Sequence, residues 1–215
     1  MRKQTRPPVP AILQKNGERW TRQWVELRGK NPIAAFQWYQ ADGMSARTWL
    51  LPHLKDMTQG HCAFCDCFPL DDRSKEPIEH FKPKSDARFY AEAYSWQNLY
   101  YCCDCCQSSK RERWDDRLLR PDADDYSFTK YFVFDYTTGE IRANSRASVE
   151  DQSRAETTIA LYGLDLSEKR LARRLELRKW QRSVDRRLDE WAYRDYLDTA
   201  SRPSPPSQTV QEQPA

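Results

Sequence analysis

The chain has 215 residues, room for one sizeable domain or a small core with helical additions. Charged residues make up 31% and aromatics 13%, with eight tryptophans, which excludes a disordered chain, and no apolar run approaches the roughly 18 residues a membrane span needs. Its net charge of +3 balances 35 basic residues against 32 acidic ones, too even to name a partner.

Taken in chain order, "MRKQTRPPVPAIL" is basic and proline-broken, without the apolar core of a secretory signal, so the expected compartment is the cytoplasm, away from any membrane. Residues 1–17 read as an extended lead-in. "ERWTRQWVEL" then puts Trp20, Trp24 and Leu27 on one helical face. A second helix is expected from about Met44 to Met57, interrupted near Pro52. From His61 to about Trp114 the periodicity fades while Cys, His, Asp and Asn crowd together, the pattern of a module held by ligands more than by apolar packing. "KYFVFDYTTGEIRA" reads as a hairpin, and "SVEDQSRAETTIALYGL" as a helix stopped by Gly163. A long helix is expected from Ser167, after an Asp165–Glu168 capping box, with Leu171, Leu175, Val184, Leu188 and Trp191 as its buried stripe. Between Glu168 and Glu190 nine Lys/Arg stand against five acidic residues, either a solvated helix face or a patch for a polyanion. The last stretch, from Thr199, has four prolines and no aromatics and reads as a disordered tail. The resulting division is 1–58, lead-in and helices; 59–120, the ligand-rich module; 121–198, hairpin and carboxy-terminal helices; and 199–215, tail.

Seven cysteines fall in two bunches: Cys62, Cys65 and Cys67, then Cys102, Cys103, Cys105 and Cys106. Tight clusters of this kind point to metal and not to a disulfide framework. Cys62 and Cys65 with a second Cys-x-x-Cys pair would give four thiolates around one structural zinc ion. By spacing alone Cys102/Cys105 and Cys103/Cys106 compete for the second half.

Between the bunches lies "IEHFKPKS". On an extended segment Glu79 and His80 point to opposite faces, so one can hold a cation while the other faces a water. Imidazole suits proton removal from water near neutral pH. Lys82 and Lys84 follow, with Lys110, Arg111 and Arg113 further on, as contacts for a phosphate backbone without sequence readout.

The order Cys-x-x-Cys, Ile-Glu-His-Phe-x-Pro-Lys-Ser, Trp-x-Asn-Leu, then Cys-x-x-Cys with a lysine four residues on resembles the zinc-knuckle HNH endonucleases, and more narrowly the PtuB-like proteins of retron and Septu antiphage systems. The close likeness covers about residues 60–110. It implies an α+β fold, a mainly helical chain around a small zinc-stabilised ββα-metal module. It implies zinc on Cys62, Cys65, Cys103 and Cys106, leaving Cys67, Cys102 and Cys105 as free thiols. It implies magnesium or manganese on Glu79 and on the residue after the last knuckle cysteine, His80 as the activator of water, and Asn98 as the brace of the loop. That last ligand position departs from the family's Asn or His: it holds Gln107. The implied activity is metal-dependent hydrolysis of nucleic acid, DNA favoured, in antiphage defence beside a PtuA-like ATPase and, in a retron setting, a reverse transcriptase with its RNA–DNA product. The tryptophan-rich amino-terminal helices and the long carboxy-terminal helix are the expected docking surfaces, or else pack on the zinc module. An RNase acting on transfer RNA and a non-catalytic zinc scaffold are the competing expectations.

Overall fold

The first helix, α1 (Ala11–Lys30), starts directly after Pro10, so the extended lead-in is shorter than expected: Gly17 sits within the helix, and the proline cluster ends at residue 10. The computed structural model describes residues 1–70, 74 and 77–201. Most of the expected tail, residues 202–215, therefore lies outside the described residues, while Thr199 and Ala200 belong to the last helix.

Helix α1 buries Leu13, Asn16, Trp20 and Trp24. Trp20 leans on Tyr94, and Trp24 meets Phe36 and Tyr90 edge-on. Two short strands follow, β1 (Gln40–Ala41) and β2 (Met44–Ser45), paired antiparallel. Helix α2 (Ala46–Thr58) is capped by the Ser45 hydroxyl, which accepts from Thr48 N–H, and it runs unbroken through Pro52. An internal proline costs about 3 kcal/mol. Leu50 and Leu54 are wholly buried on this helix, and burying each contributes about 2 kcal/mol, enough to keep the helix whole.

The centre of the chain is a hairpin followed by a helix. Strand β3 (Ile78–His80) pairs antiparallel with β4 (Leu99–Tyr101), in the register Ile78 to Tyr101, Glu79 to Tyr100 and His80 to Leu99. Helix α3 (Asp104–Lys110) follows at once, with Cys103 as its N-cap. The long connection between the strands carries 3-10 turns at Ala87–Glu92 and Trp96–Asn98.

Downstream, the short helix α4 (Phe128–Tyr131) leads into the antiparallel pair β5 (Phe132–Asp135) and β6 (Glu140–Ala143). Their turn needs Gly139: at φ +76° a Cβ would lie 2.3 Å from the Arg170 carbonyl oxygen. Helix α5 (Val149–Tyr162) stops at Gly163, whose φ of +56° and closeness to Ser109 exclude a side chain.

Helix α6 (Ser167–Arg182) corrects the expected stripe. Leu171 and Leu175 are exposed, Val184 lies beyond the helix and is fully exposed, and Leu188 and Trp191 pack only at the margin of a small satellite core. The buried face is instead Lys169, Arg173, Leu177 and Trp180. Long basic side chains carry apolar stems inward and end on acceptors: Arg173 donates to Gly139 O at 2.6 Å and Leu164 O at 2.9 Å. The capping box is absent too. The N-cap is Leu166, because Asp165 is drawn off to accept from Ile141 N–H and to pair with Arg170. The last helix, α7 (Arg194–Ala200), packs Tyr196 and Leu197 against Leu177 and Trp180. Among the described residues no helix is long and apolar enough to cross a membrane.

Candidate metal centre and cleft

The turn after α2 and the start of α3 bring the two cysteine bunches together. The sulfurs of Cys62, Cys65, Cys67 and Cys103 lie within 4.8 Å of one another, as do those of Cys62, Cys102 and Cys106. No cysteine forms a disulfide, and Cys105 is exposed and belongs to neither group. Cys103 and Cys106 both face the cluster, but in different sets, so the expected quartet Cys62, Cys65, Cys103 and Cys106 is not one mutually close group. Cys67 and Cys102, expected as bystanders, face it as well. Backbone N–H groups point at sulfur: Cys103 N donates to Cys62 Sγ at 3.4 Å and Cys106 N to Cys103 Sγ at 3.5 Å. Such donors stabilise thiolates, and this set of soft, buried ligands fits a thiophilic ion such as zinc.

Two groups outside the cysteine motifs close the cluster. The Lys169 ammonium, buried on α6, donates to Cys106 Sγ at 3.2 Å and to Tyr162 O at 2.9 Å. Asp66, inside the first bunch, is gripped by Arg194 of α7 through its side chain at 2.7 Å and its backbone N–H at 2.6 Å, with both side chains buried. Neither partner was legible from cysteine spacing. Lys169 lay in a run that reads as solvated surface.

Glu79 and His80 lie on β3 beside a cleft of about 120 Å³ lined by both of them and by Pro83, Lys84, Gln107, Arg111 and Glu112. His80 is 5% exposed. Its Nε2 is 3.0 Å from the Ala93 carbonyl, whereas Nδ1 has no partner. A carbonyl can only accept, so Nε2 carries the proton and Nδ1 keeps a free lone pair. Burial, with Lys84 nearby, holds the imidazole pKa well below its ordinary value, so the ring is neutral. Trp38 stacks on the ring at 5.5 Å and Phe36 meets it edge-on at 4.9 Å. These two aromatics are further parts of the site that the motif did not reveal; their alternate spacing on an extended segment was the available signal.

Asn98 ties the loop between the strands together. Its Oδ1 accepts from Lys82 N–H at 2.7 Å, and its Nδ2 donates to Lys82 O at 3.1 Å and Glu92 O at 3.0 Å. The Glu92 carbonyl precedes the Ala93 carbonyl that orients His80, so one side chain fixes the loop and, through it, the ring.

Glu79 faces Lys110, whose Nζ donates to Glu79 Oε1 at 2.7 Å and His80 O at 3.1 Å. Lys110 is fully buried, which corrects its expected role as a phosphate contact on the surface. Burial pushes the Glu79 carboxyl up against the pull of that ammonium. The Gln107 amide donates to Cys102 O at 3.1 Å, tying α3 to the end of β4. Of the other expected phosphate contacts, Lys82 pairs with Glu92 at 2.6 Å, and Arg113 reaches Leu161 O at 3.2 Å. Lys84 and Arg111 remain on the cleft wall.

Compared with known proteins, the chain matches no family model, and no curated protein gives a significant match.

Proposed function

We propose that the chain is a metal-dependent endonuclease of the zinc-knuckle HNH kind, hydrolysing phosphodiester bonds with DNA as the favoured substrate. The observation that carries the reading is His80: neutral, oriented through Nε2, with a free Nδ1 lone pair beside a cleft that also holds basic side chains. A neutral imidazole fixed at one nitrogen is a general base for water. Nδ1 takes the proton as the water attacks phosphorus, and Lys84 and Arg111 attract the strand. The hard oxygen donors of Glu79 and Gln107 fit magnesium or manganese, which would supply charge neutralisation at the leaving oxygen. The buried cysteine cluster, which would hold zinc, keeps the hairpin and α3 in place. By resemblance, the enzyme works in antiphage defence beside a partner ATPase and, in a retron setting, a reverse transcriptase with its RNA–DNA product.

A second reading, a zinc scaffold without catalysis, is favoured by the Glu79–Lys110 pair, since a carboxylate already neutralised by a buried ammonium attracts a cation less. The test is cleavage of duplex DNA, single-stranded DNA and transfer RNA by the chain purified with its partner, with magnesium, manganese or EDTA. Metal-dependent cutting is expected, and His80→Ala should lower it by about 10²–10⁴-fold while the fold persists. Cutting confined to transfer RNA would make the enzyme an RNase. A His80→Ala protein that cuts as well as the wild type would overturn the assignment of the base. No cutting of any substrate, with His80→Ala still protecting cells, would establish the scaffold.

A further inference from the structure

A single-zinc site uses four thiolates and leaves Cys67 and Cys102 as bystanders, yet neither stands aside. Cys67 joins Cys62, Cys65 and Cys103 in one mutually close set, while Cys102 joins Cys62 and Cys106 in another. The two sets share Cys62.

We propose that the cluster holds two thiophilic divalent ions, zinc being the natural occupant, with the Cys62 sulfur bridging both. One ion takes Cys62, Cys65, Cys67 and Cys103; the other takes Cys62, Cys102 and Cys106. The first ion then has four sulfur ligands, as tetrahedral zinc requires, and the second has three.

Distances support the pairing. A Zn–S bond of about 2.3 Å sets the edge of a sulfur tetrahedron at about 3.8 Å. Cys65 and Cys103 sulfurs are 3.6 Å apart, an edge of the first set, and Cys62 and Cys102 sulfurs are 3.9 Å apart, an edge of the second. The latter has no role in a site made of Cys62, Cys65, Cys103 and Cys106.

Charge supports it as well. Six thiolates around two divalent ions carry the same formal charge as four around one, so the second ion adds no net charge to a buried region. Lys169, at 3.2 Å from Cys106, supplies a cation on the side of the second set. Cys105, exposed and outside both sets, is the built-in control.

The inference rests on the cluster holding metal and is independent of catalysis. Native mass spectrometry and elemental analysis of the full chain, purified from zinc-supplemented cells, should give two zinc ions per chain. One ion would overturn the shared cluster and leave the single-zinc reading standing, whereas none would overturn both. Cys102→Ser should lower the count to one and Cys105→Ser should leave it at two; a Cys102→Ser protein that keeps two ions refutes the assignment. Should that variant fail to fold, the wild type exchanged with cadmium-113 decides alone. Two resonances are expected, and a single one overturns the proposal.

Discussion

The thiol cluster and the Glu79–His80 cleft hang on the same hairpin and helix, yet they treat their polar atoms in opposite ways. In the cluster every sulfur but the exposed Cys105 lies against other sulfurs, backbone N–H groups reach in, and Lys169 closes the side. In the cleft nearly everything is engaged, Glu79 by Lys110 and Asn98 by two carbonyls and an N–H, but His80 Nδ1 is left open. Buried polar atoms without partners are costly, and of the several among the described residues His80 Nδ1 is the one on a residue lining this cleft. One region spends its residues on closure so that the other can keep a single vacancy in its hydrogen bonding.

The largest effect expected from breaking that contrast is on the cluster. With zinc in the cluster as proposed, a strong chelator should abolish cooperative unfolding of the module, since structural zinc contributes on the order of 10 kcal/mol; circular dichroism and denaturant titration report it. A protein whose unfolding is unchanged after verified metal removal would show that thiol packing alone suffices. Next is Arg194→Ala. It strands the buried Asp66 carboxylate beside the first cysteine bunch and should cost about 3–5 kcal/mol in urea unfolding. Asn98→Ala removes three hydrogen bonds from the cleft loop and should cost about 2–3 kcal/mol. It should also lower cleavage, because the Ala93 carbonyl that orients His80 is then less firmly held. Equal cleavage at lower stability would uncouple the loop from the ring.

The smallest effect concerns acid stability at Asp122, which joins the amino-terminal segment to β4. Burial opposes its charge, but Arg6 at 2.5 Å, the Tyr100 hydroxyl at 2.6 Å and Arg120 at 3.1 Å hold its pKa below the ordinary carboxylate value. The unfolded chain therefore binds this proton first as pH falls. The stabilisation is fully present above about pH 4, the unfolded value, and is lost as pH falls through the lowered folded one. Asp122→Asn should flatten the acid limb of a stability–pH curve; an unchanged limb would place the acid sensitivity elsewhere.

What the sequence disclosed follows the range of the interactions concerned. Helix α1 with Trp20 and Trp24 inward, the β5–β6 hairpin and the stop at Gly163 all depend on neighbours a few residues away, where periodicity and turn chemistry operate. The convergence of the two cysteine bunches and the bracing of the loop by Asn98 were legible because motifs encode long-range proximity. Helix α6 was misread for the opposite reason. Its leucines repeat at helical spacing, but the inward face was decided by acceptors distant in sequence, Cys106 for Lys169 and Gly139 O for Arg173. Hydropathy counts both as surface residues. The Asp66–Arg194 pair, 128 residues apart, carries no local trace at all.

That pair also orders events in time. Cys106 leaves the ribosome well before Arg194, and at 5–20 residues per second the interval is on the order of ten seconds. All the thiols are therefore present while the clamp on the first bunch is still missing. A nascent chain taking up the metal proposed for the cluster would do so through an open flank, which the emergence of α7 then latches.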